Sequence, residues 1–207
     1  MDTSMKPTSA LLFDLGNVLI DVDPMRCFEF WAPFSPHSAE DLAQMPALDK
    51  AFEQHEVGEI TDLQYFQYLR DLMSLKASDA EIQQGWNAML GQAIAPTIQM
   101  IRRVRKTMPC YVFSNTNNSH QIAWSHEHAS IIALFERVFV SNEIALRKPT
   151  VEAYAHVINN IQLPAHQILF FDDREDNIAG AKDAGLQTVW VKSSDDVANA
   201  LGSLQLL

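Results

Sequence analysis

The sequence predicts an α/β protein, with an open parallel sheet, helices between its strands and an all-helical insert after the first strand. Three observations support this prediction. Short runs that are apolar throughout recur along the chain, which is typical of strands buried on both faces. Segments with helical spacing separate these runs after residue 96. Residues 24–91, in contrast, show helix signals and no strand signal.

The strands and helices can be assigned in order from these patterns. Apolar residues at helical spacing predict helices that begin near Ile94, Val151 and Ile178, and Gly185 is a typical end for the third. A closing helix is predicted around residues 195–201. The predicted strands of the parallel sheet are residues 10–13, 110–113, 137–140, 167–171 and 187–191.

The insert is predicted over residues 24–91, so that residues 1–23 and 92–207 form the core. Ser38 opens one helix, and Thr61 and Ser78 each begin a capping box, the pairing of a Ser or Thr with an acid or amide three residues later. Residues 91–96 are predicted to be the linker that returns to the core.

Composition narrows the possible partners. The 207 residues can build one sizeable core with a small attached domain. A formal net charge of -11 without a basic run argues against a nucleic-acid partner. Cys27 and Cys110 are the two cysteines, far apart in sequence, so we expect reduced thiols in a cytoplasmic protein. No stretch is typical of a signal peptide or a membrane span.

Polar clusters follow four of the predicted strands. Because functional groups collect beyond the carboxyl ends of parallel strands, we expect these clusters to meet in one crevice. The combination of a lone carboxylate, a hydroxyl, a Lys and paired carboxylates is suited to transferring a phosphoryl group with a divalent metal. The residues concerned are Asp14, Ser114, Asn115, Lys148, Asp172 and Asp173.

Each cluster has a chemical interpretation beside a structural one. Asp14 can attack phosphorus and form an aspartyl phosphate, while Gly16 allows a tight turn whose carbonyl faces a metal. Ser114 and Asn115 precede a probable helix start, where they either bind an anion or cap the helix. Lys148 can neutralise phosphate, although a lone Lys is usually solvated.

Adjacent carboxylates at residues 172 and 173 repel each other unless a cation is present. With Asp14 they offer oxygen ligands of the kind Mg²⁺ prefers. We assign Asp173 to the metal and leave the role of Asp172 open. His55 in the insert either approaches the substrate or lies on the surface, and His126 and His128 are not spaced to share one helix face at a zinc site.

Taken in order, these clusters resemble the four motifs of the haloacid dehalogenase superfamily of phosphohydrolases, over nearly the whole chain. The resemblance implies a Rossmann-like core, a helical cap formed by the insert, and Asp14 as nucleophile. It further implies that Mg²⁺ is held by Asp14, Asp173 and the Gly16 carbonyl, and that Ser114 and Lys148 grip phosphate beside Asn115. The matching segments are residues 13–19, 114–116, 148–149 and 171–177.

One position departs from the superfamily's pattern. Most of its phosphatases have a second Asp two residues after the nucleophile as general acid and base, where this chain has Gly16. Such help is worth roughly 10²–10⁴-fold, so its loss implies a slow enzyme or an easy leaving group. Asp21 or Asp23 could supply a carboxylate instead. The first motif, residues 13–19, together with residues 58–61 of the insert, resembles the bacterial α-D-glucose-1-phosphate phosphatases. The substrate of those enzymes releases a comparatively acidic alcohol.

The sequence therefore predicts a Mg²⁺-dependent phosphatase of a small phosphorylated metabolite, such as a hexose 1-phosphate. One alternative is a 2-haloacid dehalogenase, in which Asp14 attacks carbon without a metal and Asp172 and Asp173 have no explanation. Another is a catalytically degenerate protein that only binds a phosphorylated ligand. Physiological substrate, cap contacts and oligomeric state are left open by the sequence.

Overall fold

The computed structural model describes residues 8–45 and 49–207 and has an α/β architecture. Its main sheet has the strand order β5-β4-β1-β6-β7, and all neighbouring strands are parallel, which confirms the predicted fold class. The strands, in chain order, are β1 (Ala10–Phe13), β2 (Ile20–Val22), β3 (Leu90–Ala93), β4 (Cys110–Ser114), β5 (Arg137–Val140), β6 (Ile168–Asp172) and β7 (Gln187–Trp190).

Helices fill the connections between strands. The first five lie between β2 and β3, and the others connect or follow strands of the main sheet. No helix of the described residues is long and apolar enough to cross a bilayer. In chain order the helices are α1 (Met25–Trp31), α2 (Ala39–Ala43), α3 (Lys50–Glu56), α4 (Asp62–Leu72), α5 (Asp79–Ala88), α6 (Ala95–Val104), α7 (Asn118–Glu127), α8 (Ala129–Ile132), α9 (Ser141–Ile144), α10 (Val151–Ile161), α11 (Glu175–Asp183) and α12 (Ser194–Ser203).

The central strands of the sheet are buried on both faces. Every residue of β1 and β6 is buried, as their continuous apolar character predicts. Side chains alternate between two core layers: Leu11 and Phe13 pack in one, and Ala10 and Leu12 in the other. Phe13 also stacks on Phe171 of β6, with ring centroids 4.6 Å apart.

The helices between β2 and β3 enclose their own apolar cluster, which includes Trp31 and Tyr65. All three predicted N-caps are present, since Ser38, Thr61 and Ser78 each accept a hydrogen bond from the backbone N–H three residues later. These helices agree with an all-helical insert, while its limits at residues 24 and 91 stay a prediction.

One connection differs from the prediction. Residues 91–96 are not a linker, because β3 pairs antiparallel with β2 and α6 begins at Ala95. Val22 pairs with Leu90 and Ile20 with Ala93. Strands of three and four residues carry too few side chains to display an alternating pattern, and their pairing depends on partners about 70 residues apart. This two-stranded ribbon joins the helical insert to the core.

Candidate active site

Three strand ends lie side by side because β1 pairs with both β4 and β6. Asp14 directly follows β1, Ser114 ends β4 and Asp172 ends β6. Lys148 approaches them from the segment between α9 and α10. The four predicted clusters therefore do meet beyond the carboxyl ends of the parallel strands.

Lys148 joins two carboxylates below the cavity. Its Nζ lies 2.7 Å from Oδ1 of Asp14 and 2.7 Å from Oδ2 of Asp172, and the Lys148 side chain is 1% exposed. Its backbone is held by Asn115, whose side-chain amide accepts from the Lys148 N–H and donates to its carbonyl, both at 2.9 Å. Asn115 thus positions Lys148.

Asp172 anchors this arrangement from within the protein. It is completely buried and accepts hydrogen bonds from Lys148, from the Arg174 N–H at 2.9 Å and from the Asn177 Nδ2 at 3.0 Å. Because these donors use both carboxylate oxygens, the role that the sequence left open for Asp172 is to hold Lys148 and the start of α11.

Asp173 faces the cavity beside Asn17. Asn17 has a φ of 52°, in the left-handed region that Asn tolerates. Its Nδ2 donates to Oδ2 of Asp173 at 3.2 Å, and its Oδ1 accepts from the Val22 N–H at 3.0 Å. Trp190 donates its indole N–H to the Asp173 carbonyl at 2.9 Å. Asn17 and Asp173 are 156 positions apart, so the sequence contains no local signal of this contact.

Asp14, Asp172 and Asp173 form the only group of potential metal ligands found among residues 8–45 and 49–207, with ligand oxygens within 4.8 Å of one another. Burial, followed by repulsion from Asp172 and Asp173, raises the pKa of Asp14 to about 7, although Lys148 opposes this shift. Burial likewise raises the pKa of Asp173. Burial alone would lower the pKa of Lys148, but the two carboxylates outweigh it and raise that pKa.

These features fit a hard divalent cation. The cluster has three carboxylates and one ammonium group, which contacts two of them, so it has an excess of negative charge. Its potential ligands are all oxygens, as Mg²⁺ prefers. Gly16 lines the same cavity, where the backbone approaches closely: a Cβ at this position would lie 3.3 Å from Cγ2 of Val22.

Ser114 lines the cavity and is 4% exposed, while the capping role falls to another residue. Asn117 is the N-cap of α7, and its side chain accepts from the His120 N–H at 3.0 Å. The backbone between them is held by Ser141, whose Oγ accepts from the Thr116 N–H at 2.8 Å. Helix capping therefore does not account for Ser114.

Several candidate residues lie outside this cluster. Asp21 lies in β2 and is paired with Arg26, and Asp23 accepts from the Met25 N–H at 2.9 Å just before α1. Neither residue is in the lining of the cavity. The surface interpretation of His55 is wrong, because the residue is buried. Its ring is 2% exposed, packs against Tyr65 with centroids 4.3 Å apart and bonds to Asp62 at 2.7 Å.

The insert contacts the core through Arg147, the residue before Lys148. Arg147 bonds to Glu53 at 3.0 Å and to Glu56 at 2.8 Å, both on α3. Burial raises the pKa of Glu56, and Arg147 opposes this shift. Ser141 donates its hydroxyl to the Glu56 carbonyl at 2.6 Å. These bonds fasten α3 of the insert to the segment that carries Lys148.

A second set of contacts joins the insert to the start of α7. Asp62 on α4 accepts from Nδ2 of Asn118 at 2.8 Å and from the Ser119 N–H at 3.3 Å. Trp86 on α5 donates its indole N–H to Asn117 at 3.3 Å, and its carbonyl lies 3.0 Å from Nε2 of His120. The cavity between insert and core has a volume of about 830 Å³, and the carboxylate cluster lies at its core side.

Two curated proteins are similar to this chain over most of their lengths. A D-ribitol-5-phosphate phosphatase of Bacteroides thetaiotaomicron is 22% identical over 192 residues, which cover 90% of this chain and 93% of that protein. A sesquiterpene phosphatase of Aspergillus oryzae is 27% identical over 204 residues and 96% of each chain.

Solved structures and a family model agree with these similarities. The magnesium complex of a haloacid dehalogenase (HAD) family enzyme from Bacteroides thetaiotaomicron has a TM-score of 0.82 at 28% identity, covering 95% of this chain and 99% of that one. The model of the haloacid dehalogenase-like hydrolases matches residues 8–185, which include the insert and every strand of the main sheet except β7. The chain therefore belongs to the haloacid dehalogenase-like hydrolase family.

Proposed function

We propose that the protein is a Mg²⁺-dependent phosphatase that hydrolyses a small phosphorylated metabolite through an aspartyl-phosphate intermediate. The observation that supports this most directly is the group of carboxylates at Asp14, Asp172 and Asp173, whose oxygens lie within 4.8 Å of one another, with the Lys148 ammonium between two of them. A dehalogenase that displaces halide from carbon needs no metal, so Asp173 would have no role as a ligand in it.

Asp14 is the proposed nucleophile. Its carboxylate forms a bond to phosphorus while the bond between phosphorus and the alcohol oxygen breaks, and the alcohol leaves. Water then hydrolyses the acyl phosphate, which releases inorganic phosphate and restores Asp14. Ser114 and Lys148 hold the phosphoryl oxygens, and Lys148 also balances the charge of Asp14.

Asp14, Asp173 and the Gly16 carbonyl are the proposed Mg²⁺ ligands. When bound, the metal neutralises negative charge between the carboxylates and the incoming phosphate. A related structure supports the choice of metal, since the HAD family enzyme of Bacteroides thetaiotaomicron was also solved with magnesium and inorganic phosphate, at a TM-score of 0.75 and 28% identity.

Residues 24–91 are proposed to act as a cap that covers the phosphoryl site and excludes water. The contacts of Arg147 with Glu53 and Glu56, and of Asp62 with Asn118, would hold the cap in the closed position. Residues of this segment line the cavity together with Asp14 and Lys148, so the cap is placed to select the alcohol part of the substrate.

The sequence by itself predicts a hexose 1-phosphate as the substrate, and this compound is one candidate in the screen described below. The names of the two curated relatives attach phosphatase activity to quite different alcohols, ribitol and a sesquiterpene, which makes phosphate the common element. We also propose a cytoplasmic location, because Cys27 and Cys110 are both free and buried, as suits a reducing compartment.

The test is a screen of phosphorylated metabolites that includes glucose 1-phosphate and ribitol 5-phosphate, with inorganic phosphate as the readout. We expect turnover that EDTA abolishes and that added Mg²⁺ restores. Asp14→Asn should release no phosphate while remaining folded. Chloride release from 2-chloropropionate in the presence of EDTA would favour the dehalogenase instead.

A degenerate binding protein would give a different result. It would bind phosphate esters with Mg²⁺ in calorimetry, yet release phosphate from none of them at a rate above that of Asp14→Asn. That outcome would contradict the proposed function, although the fold and the metal site would stand.

A further inference from the structure

The insert side of the cavity is strongly apolar. A phosphoryl group fills only a small part of about 830 Å³, a volume within the range of pockets that hold whole organic ligands. The remaining space lies among the helices of the insert, away from Asp14 and Lys148. The walls there are built mainly from aromatic and thioether side chains, among them Phe28, Trp31, Met45, Phe52, Trp86 and Met89.

Most polar side chains near this wall already form ion pairs or hydrogen bonds within the protein. Glu53 and Glu56 are the carboxylates that the described part of the insert contributes to the cavity, and both are paired with Arg147. The indole N–H of Trp86 is bonded to Asn117. A sugar or polyol brings several hydroxyl groups, each of which loses binding energy if it is buried without a partner.

His120, which also lines the cavity, is likewise hydrogen-bonded within the protein. Its Nε2 lies 3.0 Å from the Trp86 carbonyl and its Nδ1 lies 3.1 Å from the side-chain amide of Asn117. Both ring nitrogens are therefore bonded within the protein. The groups left to contact a ligand on this wall are mainly aromatic faces and methionine side chains, which favour apolar surfaces.

Building on the proposed phosphatase function, we propose that the alcohol part of the substrate is apolar, an aromatic or alkyl group that packs against Phe28, Phe52 and Met89. The reaction is R–O–PO₃²⁻ + H₂O → R–OH + HPO₄²⁻, with R the apolar group. This assignment is opposed to a hexose or polyol phosphate, and the two can be compared directly.

The experiment uses the full-length protein with saturating Mg²⁺ and a series of 4-alkylphenyl phosphates, from methyl through propyl to pentyl. A saturated chain in this position hardly changes the pKa of the phenol, so the leaving group stays constant while the apolar surface grows. We expect kcat/KM to rise about fourfold for each buried methylene until the cavity is filled. The 4-(2,3-dihydroxypropyl)phenyl ester should be hydrolysed at least about tenfold less efficiently than its propyl counterpart.

Variants of the wall provide a second measurement. Phe52→Ala and Phe28→Ala should reduce the gain in kcat/KM with chain length. Ile122→Ala removes a side chain that is 60% exposed on α7 and should leave the whole series unchanged. Binding of propyl-, pentyl- and heptylphosphonate to Asp14→Asn by calorimetry should show the same trend without turnover.

The outcomes separate this inference from the proposed function. Phosphate release from every ester with no gain, or a loss, as the chain lengthens would overturn the apolar assignment alone. Preference for the dihydroxypropyl ester would overturn it in favour of a polyol. Absence of phosphate release from all esters, with phosphonates bound equally at every chain length, would contradict both proposals.

Discussion

The ammonium nitrogen of Lys148 lies 2.7 Å from a carboxylate oxygen of Asp14, and both side chains are almost completely buried, at 1% and 11% exposed. Asp172 takes up a second hydrogen bond of the same ammonium group. The nucleophile proposed here is thus tied, through one cation, to a carboxylate that the solvent does not reach.

Replacing Lys148 by Met should therefore affect both stability and activity. At pH 8 the change leaves two buried carboxylates without their cation, and breaking a buried pair typically costs about 3–5 kcal/mol of unfolding free energy. Loss of a charged group at the phosphoryl site should lower kcat by about 10²-fold or more. Urea denaturation in EDTA and a phosphate assay measure the two effects. Lys182→Met, on the exposed side of α11, should match wild type in both.

Asp14→Asn should make the metal-free protein more stable than wild type above pH 5. Burial raises the pKa of Asp14 to about 7 in the folded protein, whereas an unfolded Asp titrates near 3.8. Between these values the native state retains a proton that the unfolded state has lost, so the contribution of Asp14 to wild-type stability falls as pH rises through this window. The loss is on the order of 2–4 kcal/mol by pH 8. Thermal unfolding in EDTA from pH 4 to 8 tests this, and parallel curves for both proteins would contradict it.

Asp173→Asn should weaken Mg²⁺ binding by about tenfold to a hundredfold, because it removes a ligand oxygen charge from the cluster. Asp176→Asn is a matched control: it lies three residues further on, at the start of α11, and its carboxylate is paired with Arg174. Mg²⁺ titrations followed calorimetrically, and the Mg²⁺ concentration for half-maximal turnover, should separate the two variants. Equal effects of both would argue against Asp173 as a ligand.

His120 should make stability depend on pH below neutrality. Burial lowers its pKa to about 4, while an unfolded His has a pKa near 6.5. As pH falls through this window the unfolded state gains a proton that the native imidazole does not accept, so the contribution of His120 to stability decreases, by up to ~3 kcal/mol at pH 4. His120→Asn removes this contribution, so the stability of the variant relative to wild type should rise as pH falls from 6.5 to 4. His126→Asn, at an exposed position of α7, should keep the wild-type slope.

Gly16 should make turnover depend steeply on the leaving group. Without an acid at this position, esters of weakly acidic alcohols should react slowly, so the rate should fall as the pKa of the leaving alcohol rises. Gly16→Asp should flatten this dependence, with the slowest esters gaining about tenfold or more. The new Cβ would lie 3.3 Å from Cγ2 of Val22, a contact that a small side-chain shift can relieve. A flat dependence in the wild-type protein would contradict the interpretation of Gly16.

Much of the core could be read from local patterns. The strands of the main sheet are recognisable because residues buried on both faces must be apolar throughout, as in β1 and β6. Capping boxes at Thr61 and Ser78 are equally local, since donor and acceptor lie three residues apart. The order of polar residues after the strands was enough to predict that Asp14, Lys148 and Asp173 lie in one site.

Other features depend on contacts between distant parts of the chain. The β2–β3 ribbon, the contact of Asn17 with Asp173 and the pairing of Arg147 with Glu56 join residues that are about 70 to 156 positions apart. The burial of His55 could not be predicted from the sequence for the same reason. It depends on contacts with Tyr65 and Asp62, which lie on another helix.

The amino-acid sequence by itself determined the parallel sheet, the helical character of residues 25–88 and the residue types that meet at the strand ends, because burial and hydrogen bonding along the backbone select residues locally. Only the tertiary structure decided which carboxylate holds Lys148, which residues join insert to core and how apolar the cavity between them is. Those properties are set by distances between side chains that are remote along the chain, and packing alone determines these distances.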